Sequence, residues 1–251
     1  MMVMRLRLIA CEVFARQVYY AAALSPHVVD IELVDKGLHT RPEVLRAELQ
    51  QRLERIPESR YAAILLAYGL CSNSTVGLFC PHTRLVIPRA HDCITLYLGS
   101  RERYASEFQK NPGTYWYTAD YIERGEESEG EWTPLGASEE ALEASRLYQE
   151  YVEKYGRDNA DYLMEVMGAW KRHYSRAAYI DIPEIPLPDY APQVKELARR
   201  RGWCFERLEG SISLIRDLIF GHWDEERFLI VPPGQRITPT YNGEIVSTEP
   251  A

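Results

Sequence analysis

The sequence has no long apolar run and no basic tract. Nothing in its 251 residues approaches the roughly 18 uncharged apolar residues that a membrane-spanning helix needs, so no membrane partner is expected. No lysine/arginine cluster is long enough to track a phosphate backbone, and the net charge of −8 opposes one, so nucleic acid is not expected as a partner either. Walker loop, GxGxxG fingerprint, GxSxG elbow and HExxH pair are all missing, which sets aside standard nucleotide enzymes, serine hydrolases and zincins. The N-terminus MMVMRLRLIACEV lacks a separate apolar segment with a small-residue cleavage site, which makes the cytoplasm the expected compartment. Cysteine is scarce as well. Five cysteines, scattered and without paired CxxC spacing, do not make a disulfide framework where thiols are kept reduced. Packing, metal ligation and thiol chemistry remain.

What is present is alternation. Arg5–Cys11 (RLRLIAC) is an apolar strand, Glu12–Leu24 has helical spacing, and Val28–Val34 (VVDIELV) alternates as a second strand. Pro42–Ile56 places Leu45, Leu49 and Leu53 on one helical face. Tyr61–Tyr68 (YAAILLAY) is the continuous apolar run of a strand covered on both faces. Arg84–Pro88 is a fourth strand with a helix from about Ile94 to Phe108 behind it, and Thr114–Tyr117 is a further strand. The fold class this predicts is α/β, a Rossmann-like parallel sheet flanked by helices. Glu123–Trp132 is an acidic loop, followed by helices over Ser138–Tyr155 and Asn159–Ala178. Strands at Ala178–Ile182, Trp203–Leu208 and Arg227–Val231, with helices at Val194–Arg201 and Ser211–Phe220, predict a second, smaller α/β lobe. The expected division is 1–120 for the first lobe, 121–177 for loop and connecting helices, and 178–251 for the second lobe with a loosely ordered tail past Gln235.

The chemistry-bearing residues fall at strand ends. Cys11 closes the first strand, Cys71 follows the third, and His91 and Cys93 follow the fourth. In parallel sheets the carboxyl edge is where ligands bind. Neighbouring strands lie about 4.8 Å apart, and thiolates on one zinc ion sit roughly 3.7 Å from each other, so adjacent strand ends can share an ion. If the fourth strand continues to Cys93, the two-residue spacing points His91 and Cys93 the same way and leaves Asp92 for a supporting or capping role. Helices starting behind Cys11 and Cys93 are expected to favour their thiolates, and Arg89 to balance the thiolate charge. A lone cysteine in a strand is more often a small core hydrophobe than a ligand; three at equivalent strand ends, one beside a histidine, favour a shared site.

Weaker candidates surround this set. Glu12 could serve as a general base, although an acid in a first helical turn is also a common dipole partner. Ser72, Asn73, Ser74 and Thr75 could bind an anion through backbone amides, but capping of a following helix is the favoured role. Ser211 similarly suits an N-cap, with a ligand contact as its alternative. Tyr68, next to Gly69, is within reach of the site. Cys80 and Cys204 are assigned to packing, and the histidines His27, His39, His82, His173 and His222 to packing or surface.

The strings ACEVF (Ala10–Phe14), LAYGLCSN (Leu66–Asn73), IPRAHDCITLYLGS (Ile87–Ser100), PGTYWYT (Pro112–Thr118) and FLIVPPG (Phe228–Gly234) resemble a prokaryotic domain family of unknown function, DUF1638. The resemblance implies a role beside methyl transfer or corrinoid handling, with a corrinoid protein or methyltransferase as partner and a small-molecule substrate. Three hypotheses follow. The leading one is a metal-binding protein holding zinc, or alternatively an iron–sulfur cluster, on Cys11, Cys71, His91 and Cys93. The second is a metal-free thiol enzyme using Cys93 or Cys11 as nucleophile with His91 as base. The third is a non-catalytic accessory protein that binds a corrinoid protein or cofactor.

Overall fold

The structure is a computed structural model describing residues 2–111, 113–125, 174–240 and 243–251. Its chain divides into two units. The first contains Met1–Tyr104, Ile182–Leu187 and Glu209–Ala251; the second contains Ala105–Asp181 and Pro188–Leu208.

The first unit is built on a five-stranded sheet. Strands β1 (Arg5–Cys11), β2 (Val28–Val34), β3 (Ala63–Ala67), β4 (Leu85–Pro88) and β8 (Phe228–Val231) run in the order β2-β1-β3-β4-β8. β1 pairs in parallel with both β2 and β3, with Ala10 opposite Leu33 and Ala67, and β3 pairs in parallel with β4. Every residue of β3 is buried, as its continuous apolar run requires of a central strand. β2 is the edge strand and only half-buried, so its inner residues alternate with charges. Asp30 receives Arg5 at 2.8 Å, and Glu32 pairs with Arg7, both across the β1/β2 ladder. Such charges also discourage edge-to-edge pairing.

A 3-10 turn (Glu12–Phe14) leads from β1 into helix α1 (Ala15–Leu24), and α2 (Pro42–Glu54) buries Leu45, Leu49 and Leu53. The helix expected over Ile94–Phe108 is two helices, α3 (Cys93–Leu98) and α4 (Arg101–Lys110). Gly99 makes the break at φ +77°, where a Cβ would stand 2.7 Å from the Ser213 Oγ. Only glycine fits that approach.

The C-terminal third departs most from the sequence reading. From Glu209 the chain belongs to the first unit and not to a second lobe, because β8 pairs antiparallel with β4 and closes that edge of the main sheet. Helix α7 (Ser213–Ile219) precedes it. The tail predicted to be loose forms an antiparallel hairpin of β9 (Gln235–Pro239) and β10 (Val246–Pro250), in which Ile237 and Val246 are buried. Arg89 fastens it, donating to the carbonyls of Glu244 at 3.1 Å and Val246 at 2.5 Å.

The second unit has its own sheet, β5 (Thr114–Tyr117), β6 (Arg176–Asp181) and β7 (Cys204–Glu209), in the order β5-β6-β7 with β5 and β6 parallel. Helices α5 (Ala119–Glu123) and α6 (Ala191–Arg201) complete it, and its core gathers Tyr115, Tyr117, Tyr179, Val194 and Leu197. The acidic loop and the two helices expected between Glu123 and Ala178 lie, apart from their outermost residues, outside the described residues; at their end, Arg176–Ala178 are strand and not helix. Among the described residues no helix is long and apolar enough to cross a membrane.

Candidate functional site

In the strand order β2-β1-β3-β4, successive connections leave β1 in opposite directions, so the topological switch point lies between β1 and β3. Crevices at the carboxyl ends beside such a point are the ligand sites of open α/β sheets. Cys11 is the last residue of β1 and Cys71 follows β3, so the two flank that crevice.

Backbone pairing brings Cys93 to the same place. Beyond the end of β3 the chain still tracks the segment after β4, with Leu70 N–H donating to the Ala90 carbonyl and Cys71 N–H to the His91 carbonyl, both at 2.9 Å. The approach is so close that a Cβ on Gly69 would lie 2.7 Å from the Asp92 nitrogen and 2.8 Å from the Ala90 oxygen. Gly69→Ala is therefore expected to destabilise the protein by about 1–3 kcal/mol through overpacking, read as a lower urea midpoint; a midpoint equal to that of the wild type would refute this account of the glycine.

The three thiols sense one another. Burial, then the Asp92 carboxylate and the Cys11 sulfur, push the Cys71 thiol up to about 12, against the N–H groups of Gly69 and Cys93 that favour its thiolate. Burial, followed by Asp92, Cys71 and Cys11, likewise holds Cys93 far above the ordinary thiol range. This reverses the expectation that a helix N-terminus would ease deprotonation of Cys93. Asp92 already occupies that N-terminus, accepting from the N–H groups of Ile94 at 3.0 Å and Thr95 at 3.3 Å, and desolvation outweighs what remains of a six-residue helix dipole. Asp92 also accepts from the Tyr104 hydroxyl at 3.3 Å, and burial raises its own carboxyl.

Strained backbone sits beside the sulfur. Cys71, Ser72 and Asn73 all have positive φ (46°, 55° and 64°), a left-handed turn without a glycine. Such conformations cost roughly 1–2 kcal/mol per residue and persist where surrounding contacts impose them, often at functional sites. Here Ser74 Oγ donates to the Cys71 carbonyl at 2.5 Å, Thr75 Oγ1 to the Gly69 carbonyl at 3.1 Å, and Arg46 to the Asn73 carbonyl at 2.7 Å. The favoured role for these hydroxyls, capping a following helix, does not hold: Cys71–Gly77 form turns and no helix follows. Ser72 and Asn73 are exposed on the turn.

The remaining candidates are dispersed. β4 ends at Pro88, so the two-residue alternation needed to align His91 with Cys93 is absent; the His91 ring is exposed and packs against Tyr104 at 6.4 Å between centroids. Arg89, expected to balance thiolate charge, is committed to carbonyls of Glu225, Glu244 and Val246. Glu12 accepts the Lys36 N–H at 3.1 Å. Ser211 Oγ accepts the Ser213 N–H at 3.1 Å, in the manner of a cap, and donates to Glu184 at 3.0 Å. Among the described residues, no group of three or more His, Cys, Asp or Glu side chains is arranged so that it could hold a metal ion.

Two further residues belong beside the thiols. Tyr68 is 1% exposed, and its hydroxyl is buried with no hydrogen-bond partner among the described residues. Burial, then the charges of Cys11 and Cys71, would raise its ionisation far above the usual range. His39, read from the sequence as packing or surface, stacks on the Tyr68 ring at 6.0 Å; no spacing signal links it to the cysteines, because it lies in the turn after β2. An unpaired buried hydroxyl costs about 1–3 kcal/mol. Tyr68→Phe is therefore expected to raise stability by about 1 kcal/mol, read as a higher urea midpoint; a fall of that size would show that the hydroxyl has a partner.

Fold and site together define a doubly wound, Rossmann-like α/β protein with two buried cysteines, Cys11 and Cys71, flanking its switch point and the half-buried Cys93 nearby. The chain belongs to the family described as "Protein of unknown function (DUF1638)", whose model matches residues 33–219. Cys71, His91 and Cys93 lie inside the matched stretch; Cys11 and the ACEVF and FLIVPPG strings lie outside it. Comparison with curated proteins and with solved structures found no match.

Proposed function

We propose that Cys11, Cys71 and Cys93 bind a metal ion, zinc or alternatively the iron of an iron–sulfur cluster, in the crevice between β1 and β3. What supports this reading is that Cys11 ends β1, that the Leu70–Cys71 segment runs hydrogen-bonded beside Ala90–His91, two residues before Cys93, and that the thiols are near enough to raise one another's ionisation. A cluster of thiols that crowd one another and stay protonated is relieved when a cation replaces the protons.

Three sulfurs leave a fourth position. His91 can fill it by turning inward, which would make a closed structural site. Left open, the position suits Lewis-acid activation of a thiol that accepts a methyl group, and Tyr68 and Asp92 beside it can donate or accept a proton. Methyl transfer, or a supporting role beside a corrinoid-dependent methyltransferase, is the reaction class proposed. The metal-free alternative with Cys93 as nucleophile is disfavoured, because a thiol enzyme depends on a lowered thiol pKa and Cys93 is pushed the other way.

Elemental analysis of the full chain purified without oxygen, read with its visible spectrum, tests this. The expected result is stoichiometric metal, colourless for zinc and absorbing for iron–sulfur. Thiols that alkylate equally fast with and without chelator, in protein lacking metal even after reconstitution, would overturn it.

A further inference from the structure

A second site is carried by arginine and lies toward the amino ends of β1 and β3, the opposite end of the strands from the thiols. A cleft of about 360 Å³ opens there, lined by Arg7, Arg52, Arg55, Arg60 and Glu32. Glu32 bridges Arg7 and Arg52, and Glu48 takes Arg52 again at 2.6 Å. Four arginines against these two glutamates leave two positive charges in excess, within a chain whose net charge is −8. The excess resides in Arg55 and Arg60, which have no carboxylate within ion-pair distance among the described residues. Arg60 instead lies over the Tyr61 ring at 5.5 Å, and the nearby Asp30 is already taken by Arg5 at 2.8 Å and the Tyr61 hydroxyl at 2.7 Å. Arg7 also lines the cleft, and its buried Nε–H has no acceptor among the described residues.

We propose that this cleft binds a small phosphate monoester, its phosphoryl group held by Arg55, Arg60 and Arg7 and its organic part against Tyr61, Ile56 and Pro57. Guanidinium forks match a tetrahedral oxyanion with paired N–H donors, which ammonium groups do not. Glu32 holds the forks of Arg7 and Arg52 in place before the ligand arrives, which lowers the ordering cost of binding. The carboxyl end of α2 helps to hold Arg52 and Arg55 there through its negative dipole end. Ile56 is buried, and with Pro57 and the Tyr61 ring it gives the cleft an apolar wall that inorganic phosphate alone would leave uncovered. The volume suits a ligand at the small end of the usual range of about 300–1,000 Å³ and is too small for a nucleic-acid strand. The cleft shares no residue with the thiol crevice, so either proposal can fail alone.

Titration calorimetry on the full chain at low salt, with phenyl phosphate, inorganic phosphate and phenol as probes, tests the assignment. Phenyl phosphate is expected to bind saturably at one site per chain and more tightly than inorganic phosphate, with no binding of phenol. The double variant Arg55→Gln/Arg60→Gln should weaken phenyl phosphate at least about tenfold at an unchanged urea midpoint. If that variant proves less stable, the single Arg60→Gln carries the comparison, with a loss of at least about threefold expected. The proposal is overturned by the absence of saturable binding up to about 10 mM, by equal affinity in wild type and variants, or by inorganic phosphate binding as tightly as phenyl phosphate.

Discussion

Replacing Cys71 and Cys93 together by serine is expected to strip the chain of metal. Structural zinc is worth roughly 10–16 kcal/mol in thiolate sites at neutral pH. Spread over four ligands, loss of two removes at least about 5 kcal/mol, more than three decades in affinity. Metal per chain should fall from stoichiometric to background by elemental analysis, while Cys204→Ser, at an exposed position of β7, leaves it unchanged. Metal content unaffected by the double substitution would sink the metal reading.

The pH dependence of the same site has a definite sign. Cys71 is held at about 12 and burial likewise holds Cys93 well above the ordinary thiol range, so both are protonated at neutral pH and a metal must displace both protons. Each displaced proton steepens affinity tenfold per pH unit, so these two sulfurs alone should make zinc bind at least about 100-fold more tightly at pH 8 than at pH 7. Competition with a chelator of known proton linkage measures it. A flat profile would show that neither sulfur is a ligand.

Arg176 governs the second unit. It is 1% exposed, and its guanidinium donates to Glu107 at 2.8 Å, Glu206 at 2.5 Å and Thr114 Oγ1 at 2.9 Å while lying over the Trp116 ring. Removing one member of a buried ion pair strands the other's charge, so Arg176→Met is expected to cost about 3–5 kcal/mol. Glu107 has little exposure to fall back on, whereas Glu206 is half in water. Adding Glu107→Gln to Arg176→Met should therefore recover part of the loss. Urea denaturation at neutral pH reads both variants, and an Arg176→Met stability within about 1 kcal/mol of wild type would contradict a structural role for the pair.

The acid limb follows from the same contact. Burial works to raise the Glu107 carboxyl, but the hydrogen bond and charge of Arg176, with Lys110, hold it below the ordinary range. A group whose folded pKa is depressed contributes stability above its unfolded value, about 4.3 for Glu, and that stability is lost as pH falls through the folded pKa. Wild type should thus lose stability through this contact as pH falls below about 4.3, and Arg176→Met should lose less over the same interval.

Much of the first unit was legible residue by residue. RLRLIAC and YAAILLAY named two strands, the leucine spacing at Leu45, Leu49 and Leu53 named α2, and the position of Cys11 and Cys71 after strands placed them at a carboxyl edge. Asp92 was foreseen in a supporting or capping role, and it caps α3. These are short-range statements: side-chain periodicity and capping depend on neighbours a few residues away, and the chain carries that information locally. The Arg176 pair was not legible, since its partners lie 69 and 30 residues away.

What only tertiary structure decided is of another kind. The pairing of β8 with β4, and the hairpin of β9 with β10, depend on which strand edges are left free once the rest has folded. The end of β4 at Pro88 turned His91 outward, and the packing of Ser213 against Gly99 split one predicted helix into two. The protonation of Cys71 and Cys93 was set by burial beside Asp92, a long-range desolvation that outweighs the helix dipole on which sequence reasoning relied. Periodicity reports which face of an element is apolar; free strand edges, close approaches and desolvation arise only when elements distant along the chain are packed together.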